Sequence, residues 1–415
     1  MRVLWIAPNG GNYKKGIVKG TGGWIGALQN ELINSVPDLE LGIAFACSTD
    51  NDVIQEGRVT YLPIRKPTPT GGFKGIIHGF FSNKEKDDAV LTHQLIKRID
   101  EYKPDVIHIW GIENDYASVI KLIDRPFVVH IQGLLSLYIY VYLPYGLSKH
   151  DLFKADFPVR WLLRAGNLRD YSLAKHRALR ELAMGKYVKY WIGRTDWDHT
   201  MSQMLSPGSR YFHCEEMMRG DFNEARWEYR YDGNTIHIHS SLSAEWYKGM
   251  DIVLKTAKVM RELGKNVEWN VYGIERNNYR LKYFIRKLDI IPENVGVNFR
   301  GRVDGKTIRD GLQSCDVFVH PSYIENSSNA IAEAMMLGVP VVANNVGGNS
   351  SMLRGNSGVL VAPNEPYILA ARIVEMTERT IAEGYSNRSL AVARERQNTE
   401  KIINTLVSIY REVAE

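Results

Sequence analysis

Two glutamates eight positions apart, Glu325 and Glu333, are the side chains best spaced to act on one ligand. They lie in Pro321-Ser322-Tyr323-Ile324-Glu325-Asn326-Ser327-Ser328-Asn329-Ala330-Ile331-Ala332-Glu333. The residue pattern predicts a strand ending at His320, a short polar loop carrying Glu325, and a helix opening near Ser327 or Ser328. Eight helical positions rise about 12 Å, a scale that lets two carboxylates grip the hydroxyl-bearing ends of one long molecule. Between them, Ser327, Ser328 and Asn329 mark a helix amino terminus, whose N–H groups attract a phosphate. The combination reads as a site for sugar–diphosphate–nucleoside, with one carboxylate for each sugar. In isolation, such a pair reads more simply as a helix cap and a solvated surface residue.

A second candidate lies near the amino terminus. Gly20-Thr21-Gly22-Gly23-Trp24 follows the apolar run Val3–Ala7 and precedes a helical pattern at Trp24–Ile33. Glycines let the backbone approach a phosphate closely, and the helix that follows presents its N–H groups. Gly22 and Gly23 are therefore expected to meet the ligand, with Lys14, Lys15 and Lys19 adding positive charge. Arg194-Thr195-Asp196 follows another apolar run; there Thr195 or Asp196 caps the next helix or contacts an acceptor.

The elements that must hold these residues alternate. Strands are predicted at Val3–Ala7, Leu39–Ala46, Thr60–Pro63, Val106–Trp110, Phe127–Ile131 and Val188–Ile192, with helices at Trp24–Ile33, Ala89–Glu101 and Tyr116–Ile123 among them. In the second half, strands at Thr235–His239, Val267–Val271, Val295–Phe299, Val317–His320, Val339–Ala343 and Gly358–Val361 alternate with helices at Gly249–Leu263, Lys306–Ser314, Asn329–Leu337 and Pro366–Ala382. Such alternation predicts an α/β fold of parallel sheets covered on both faces. Two sets predict two doubly wound, Rossmann-like domains, with ligand at the carboxyl ends of the strands and hence in a cleft the domains face. We expect the first domain over 1–220 and the second over 221–398, the boundary falling in the polar run Cys214–Asn234. A final amphipathic helix, about 399–415, packs back on the first domain.

The stretch around Glu325 continues into Gly338-Val339-Pro340-Val341-Val342-Ala343, Asn345-Val346-Gly347-Gly348 and Gly355-Asn356-Ser357-Gly358. Together with Lys248-Gly249 opening a helix, Phe299-Arg300-Gly301 and Cys315-Asp316-Val317-Phe318-Val319-His320-Pro321-Ser322, it resembles the retaining family-4 glycosyltransferases of the GT-B architecture. Their mark is a Glu-x7-Glu motif before a Gly-x-Pro-Val-Val strand. The resemblance is close over 235–415 and only in outline before it. It implies that Glu325 contacts the donor sugar, Glu333 binds the nucleotide ribose and Lys248 neutralises the departing diphosphate. In Phe127-Val128-Val129-His130-Ile131-Gln132-Gly133, Gln132 stands where the family has histidine, and His130 lies two residues earlier on the same strand face. Both enter as donor-binding candidates. The family's Gly-Arg after the first strand of the second domain is replaced by Ser240-Ser241.

Composition agrees with a globular enzyme. The chain has 415 residues, 44% apolar and 24% charged, and a net charge of +5. This balance excludes disorder and does not demand nucleic acid. Cys47, Cys214 and Cys315 are widely separated and carry no metal-ligand spacing, which suits a reducing cytoplasm. Pro126–Ser148 is free of charged residues, yet His130, Gln132, Gly133, Pro144 and Gly146 interrupt it, so a buried strand and aromatic loop is expected there and not a membrane span. Two irregular insertions, Lys66–Lys86 and Leu134–Arg169, mix aromatic and basic residues, which suits a packed loop or helix pair, an acceptor site, or peripheral contact at the inner face of a membrane.

The resulting expectation is a metal-independent, cofactor-free glycosyltransferase. It takes a nucleoside-diphosphate sugar as donor and a hydroxyl of a glycan, free or lipid-linked as in surface polysaccharide synthesis, as acceptor, with retention of configuration. A sugar-nucleotide 2-epimerase-like isomerase and a catalytically weak nucleotide-binding scaffold are the alternatives.

Overall fold

The computed structural model describes residues 1–13, 23–47, 52–65, 84–156, 166–218, 222 and 225–415. Gly22, Lys14, Lys15, Lys19 and most of the 66–86 insertion lie outside the described residues. The chain divides into two units. One comprises Met1–Ile139, Phe157–Arg219 and Gln397–Glu415, the other Tyr140–Asp156 and Gly220–Arg396.

In the first unit, eight strands are present among the described residues: β1 (Arg2–Ala7), β2 (Glu40–Cys47), β3 (Ile54–Glu56), β4 (Val59–Arg65), β5 (Val106–Trp110), β6 (Phe127–His130), β7 (Tyr190–Gly193) and β8 (Arg210–His213). Their order is β3-β4-β2-β1-β5-β6-β7-β8. All neighbours are parallel except the antiparallel β3–β4 pair. Side chains of a strand alternate between faces, and β1 shows what that accomplishes here. Val3 and Trp5 enter one core with Leu28 and Leu32 of α1 (Gly23–Ser35), while Leu4 and Ile6 enter another with Leu91, Leu95 and Ile99 of α2 (Lys84–Tyr102). Both sheet faces are covered, so the central strands read as unbroken apolar runs.

The carboxy-terminal helix, Thr399–Ala414, belongs to this unit and sends Ile402, Leu406 and Tyr410 into the Trp5 core. An indole N–H can only donate, so the 2.8 Å bond from Trp5 Nε1 makes the Tyr410 oxygen an acceptor. His108 Nδ1 lies 2.7 Å from the same oxygen and shares a hydrogen bond with it whose direction follows the imidazole tautomer.

The second unit holds six strands among the described residues, β9 (Thr235–Ser241), β10 (Asn266–Tyr272), β11 (Val297–Gly301), β12 (Val317–His320), β13 (Val341–Asn344) and β14 (Val359–Val361). They pair in parallel in the order β11-β10-β9-β12-β13-β14. The order reverses between β9 and β12, and in an open α/β sheet a ligand sits outside the carboxyl ends of the strands at that reversal. The loops leaving those two ends lead to Lys248 and to Glu325.

Several elements differ from expectation. The helix expected over Pro366–Ala382 is two helices, Pro366–Glu375 and Arg379–Arg396, and in the break the carbonyl of Thr377 accepts the hydroxyl of Tyr229 at 2.5 Å. The helix expected at Tyr116–Ile123 is a tighter 3-10 segment, Asp115–Lys121. Helices at Asn167–Gly185 and Tyr279–Leu288, and strands β3 and β8, were not legible, whereas the helix expected after Thr195 runs over Asp196–Leu205. The stretch Tyr140–Asp156 clusters with the second unit instead of the first, because Asp151 of its helix α3 (Lys149–Ala155) bonds Tyr283 and Lys287 there. Among the described residues no helix is long and apolar enough to cross a membrane.

Candidate functional site

The two loops at the carboxyl edge of the second sheet are fastened to each other by backbone. Tyr323 N donates to Tyr247 O at 2.8 Å. Gly249 follows Lys248 with φ +83°, and a Cβ there would overlap the Pro321 carbonyl, so both its conformation and its closeness require glycine. Asn344, at the end of β13, donates its amide to the carbonyls of Pro321 (2.8 Å) and Ser322 (3.1 Å). A second glycine constraint holds Glu325 itself. Gly347 has φ +51° and lies so close that a Cβ would overlap the Glu325 carbonyl, which also accepts from Gly348 N at 3.0 Å.

This framework brings Lys248 and Glu325 together. Lys248 Nζ donates to Glu325 Oε1 at 2.5 Å, and His320 Nε2 meets the same oxygen at 2.9 Å. A carboxylate can only accept, so His320 carries its proton on Nε2. Ser322 Oγ is 3.3 Å from that nitrogen. Burial alone would raise the pKa of Glu325, but the Lys248 ammonium and the His320 bond outweigh it and hold the carboxyl well below the usual carboxylate range. Glu325 is thus an ionised, fixed acceptor. Lys248 keeps two further N–H donors on its ammonium and lies 5.7 Å from the Tyr247 ring centroid.

The helix expected near Ser327 begins at Asn329 and runs to Leu337, with Ser328 as its cap. Ser328 Oγ accepts from Ile331 N at 3.4 Å, and Ser328 N donates to the Met352 sulfur at 3.1 Å. Ser327 Oγ lies 3.7 Å from the same sulfur. Glu333 is on this helix, in its second turn, and is buried. Lys248, Glu325, Ser327, Ser328, Asn329 and Glu333 therefore share one unit and one sheet edge.

Ser240, the first of the two serines that stand where the family has Gly-Arg, is buried within the sheet. Ser240 Oγ donates to Val319 O at 2.6 Å and accepts from Trp269 Nε1 at 3.0 Å. The loop that follows is supported from elsewhere, by Arg280, whose guanidinium donates to Ala244 O (2.8 Å) and Glu245 Oε2 (3.0 Å).

Gly23, His130 and Gln132 belong to the first unit. Gly23 opens α1 with φ +53°. His130 is buried in a stack with Trp110 (centroids 4.7 Å apart) and His108 (5.4 Å), and neither ring nitrogen has a hydrogen-bond partner among the described residues. Burial pushes its pKa well below the ordinary value, so the ring is neutral. Gln132 Nε2 donates to Glu216 Oε1 at 2.5 Å, and Arg194 pairs with Glu216 Oε2 at 2.5 Å. Thr195 caps its helix by accepting from Asp198 N at 3.0 Å. Sequence reasoning assigned nothing to His320, Asn344, Gly347 or Glu216. His320 and Gly347 carried a visible signal, a strand end and a paired glycine; Asn344 and Glu216 act through partners distant in the chain.

Residues 233–379 match the family described as glycosyl transferases group 1. The chain is 28% identical over 173 residues to Protein CapJ of Staphylococcus aureus, covering 38% of this chain and 43% of CapJ. It spans less than half the length of the curated relatives it matches. Among solved structures, the sucrose-phosphate synthase of Thermosynechococcus elongatus superposes with a TM-score of 0.71 at 15% identity, over 99% of this chain and 98% of that one. Anabaena Alr3699/HepE in complex with UDP-glucose gives 0.62 at 16% identity, over 99% and 100%. These likenesses establish the two-Rossmann-domain GT-B fold.

Proposed function

From the premise that this chain has the GT-B fold and is family-4-like over residues 233–379, we propose that it moves a sugar from a nucleoside-diphosphate sugar to a hydroxyl acceptor with retention of configuration. The observation that carries this reading is the Lys248–Glu325 pair at the reversal of the second sheet, with Glu333 on the helix that follows. The anomeric C–O bond breaks as negative charge grows on the leaving diphosphate. The two remaining N–H donors of Lys248, the helix terminus at Ser327–Asn329 and the glycines Gly22 and Gly23 stabilise that charge. Glu325, ionised and fixed by His320, accepts from a sugar hydroxyl and holds the developing oxocarbenium in register. Glu333 binds the ribose hydroxyls. Gln132, oriented by Glu216, and His130 are the first unit's candidates on the donor side.

The acceptor's proton goes to the leaving phosphate itself, so no separate basic side chain is required. The acceptor in this reading is a glycan, free or lipid-linked. The test is turnover by the purified chain of UDP-, GDP- and ADP-sugars with oligosaccharide acceptors, following nucleoside diphosphate release and the anomeric proton of the product by NMR. Sugar transfer with the donor's anomeric configuration is expected. A C2 epimer formed from donor alone would identify an isomerase, and nucleotide binding without turnover a scaffold.

A further inference from the structure

Three neighbouring strands of the first unit, β6, β7 and β8, end side by side. The ladder runs on just past their ends, where Ile131 N donates to Ile192 O at 2.9 Å and Cys214 N to Gly193 O at 3.0 Å. Gln132, Arg194 and Glu216 each follow one of those ends. Gln132 is half-buried, whereas the side chains of Arg194 and Glu216 are 4% and 3% exposed. Glu216 bridges the other two: its Oε1 accepts from Gln132 Nε2, and its Oε2 lies 2.5 Å from the Arg194 guanidinium. Asp198, in the first turn of the helix Asp196–Leu205, accepts from the backbone N–H of Arg194 at 2.9 Å and fixes the root of that side chain.

The chemistry of these groups fixes the orientation of the amide. A guanidinium is always charged and can only donate. Burial raises the pKa of Glu216, and the adjacent guanidinium opposes the rise. Of the two buried carboxyls beside Arg194, Glu216 meets the guanidinium and Asp198 meets the backbone, so Glu216 is the ionised counter-charge of a buried cation. An ionised carboxyl can only accept, which puts the amide nitrogen of Gln132 against it and turns the carbonyl Oε1 away. Gln132 has no other side-chain partner among the described residues. A buried ion pair gives little stability over apolar residues of the same volume, so joining the strand ends does not call for one. What it supplies that a leucine would not is a fixed negative charge against one amide.

We propose that Arg194 and Glu216 are positioning residues that lock the side-chain amide of Gln132, so that its carbonyl oxygen accepts from a hydroxyl of the donor sugar. The proposal rests on the glycosyl-transfer reading and deepens it, because it gives Gln132 one polarity. The last side-chain torsion of an unheld glutamine is broad and roughly two-fold, so its amide offers N–H or C=O to a ligand alike. Held by Glu216, it offers C=O alone, and its rotamer freedom is removed before the ligand arrives. The sugar that fits is one whose hydroxyl donates at that point.

The test uses the full chain, Gln132→Met, Glu216→Gln and the double variant. By amide NMR, the Gln132 side chain, identified by its absence from the Gln132→Met spectrum, is expected to show one N–H shifted downfield and slow to exchange. Ordinary free-amide resonances for Gln132 in the native chain would overturn the proposal, whether or not the Glu216 variant folds. Calorimetry then measures UDP-glucose, UDP-N-acetylglucosamine and GDP-mannose beside UDP and GDP. A sugar nucleotide that the native chain binds is expected to bind about tenfold more weakly to each single variant. The double variant is expected to bind it no more weakly than Gln132→Met does, with UDP and GDP affinities unchanged throughout. A further loss in the double variant, or a loss shared by UDP and GDP, would show that Glu216 supports the fold and not Gln132, and would overturn the proposal. Sugar nucleotides bound equally by every variant overturn it and leave the transfer reading standing; no nucleotide bound by the native chain removes the transfer reading and the proposal with it.

Discussion

Gly347 touches Glu325 through the backbone: its α-carbon leaves no room for a side chain against the Glu325 carbonyl, and its φ of +51° disfavours one. The glycine pair after β13 is thus a mould for the loop that carries the proposed sugar-binding carboxylate. Gly347→Ala is expected to shift Glu325 away from Lys248, lowering transfer about 100-fold and stability by about 1–3 kcal/mol. A sugar-transfer assay and urea unfolding measure the two effects, and a variant with native activity would show that the loop tolerates displacement.

The Lys248–Glu325 bond makes a different prediction, because removing one member strands the other in a buried place. Lys248→Met is expected to destabilise the chain by about 3 kcal/mol, and adding Glu325→Gln is expected to recover part of that loss without recovering activity. A double-mutant cycle on unfolding free energy checks it. The pH dependence has a definite sign. The folded pKa of Glu325 lies below its unfolded value, so its stabilisation is present above the ordinary carboxylate range and is lost as pH falls through the acid range beneath it. Glu325→Gln should flatten the acid limb of stability.

Glu113 works in the opposite direction. It follows β5, its carboxylate lies against Gly111, and its Oε2 is buried without a hydrogen-bond partner among the described residues. Burial raises its pKa to about 8, with Glu181 adding to the rise and Arg177 opposing it. The folded state keeps a proton that the unfolded chain has lost, so stability declines as pH rises from the ordinary carboxylate range to about 8. Glu113→Gln is expected to remove that slope and to stabilise the chain at pH above 8 by about 1–3 kcal/mol. Urea denaturation at acid, neutral and alkaline pH reads the slope; an unchanged slope would contradict a protonated Glu113.

Tyr410 ties the carboxy-terminal helix into the first sheet through one hydroxyl that accepts from Trp5 and hydrogen-bonds His108 Nδ1. Tyr410→Phe leaves the buried Trp5 N–H and His108 Nδ1 without their partner and should cost about 2–4 kcal/mol. Exchange of the Trp5 indole proton, followed by NMR, is expected to accelerate in step.

The sheet centres were legible because strands buried on both faces are runs such as Val-Ile-His-Ile-Trp at Val106–Trp110, and the last helix because its apolar residues keep a helical period. The helix Asn167–Gly185 was not, since Leu168, Leu179 and Leu182 are exposed and blur its apolar face. At the site, the spacing of Glu325 and Glu333 and the Lys248-Gly249 pair stood out in one dimension. The bond from His320 to Glu325 did not, because it depends on how the loop after β12 folds back on the strand end, and the clamp of Asn344 on Pro321 did not, because it depends on the parallel strands β12 and β13 ending side by side. The Gln132–Glu216–Arg194 cluster joins residues 84 positions apart and has no local signature.

The division of labour between the two glutamates is the central claim, and calorimetric titration of nucleoside diphosphate and of the matching nucleotide sugar into Glu325→Ala and Glu333→Ala tests it most directly. Glu333→Ala is expected to weaken both ligands alike, about 10- to 100-fold, while Glu325→Ala leaves the nucleoside diphosphate unaffected and abolishes sugar transfer. Native affinity for both ligands in Glu333→Ala together with native transfer in Glu325→Ala would contradict it.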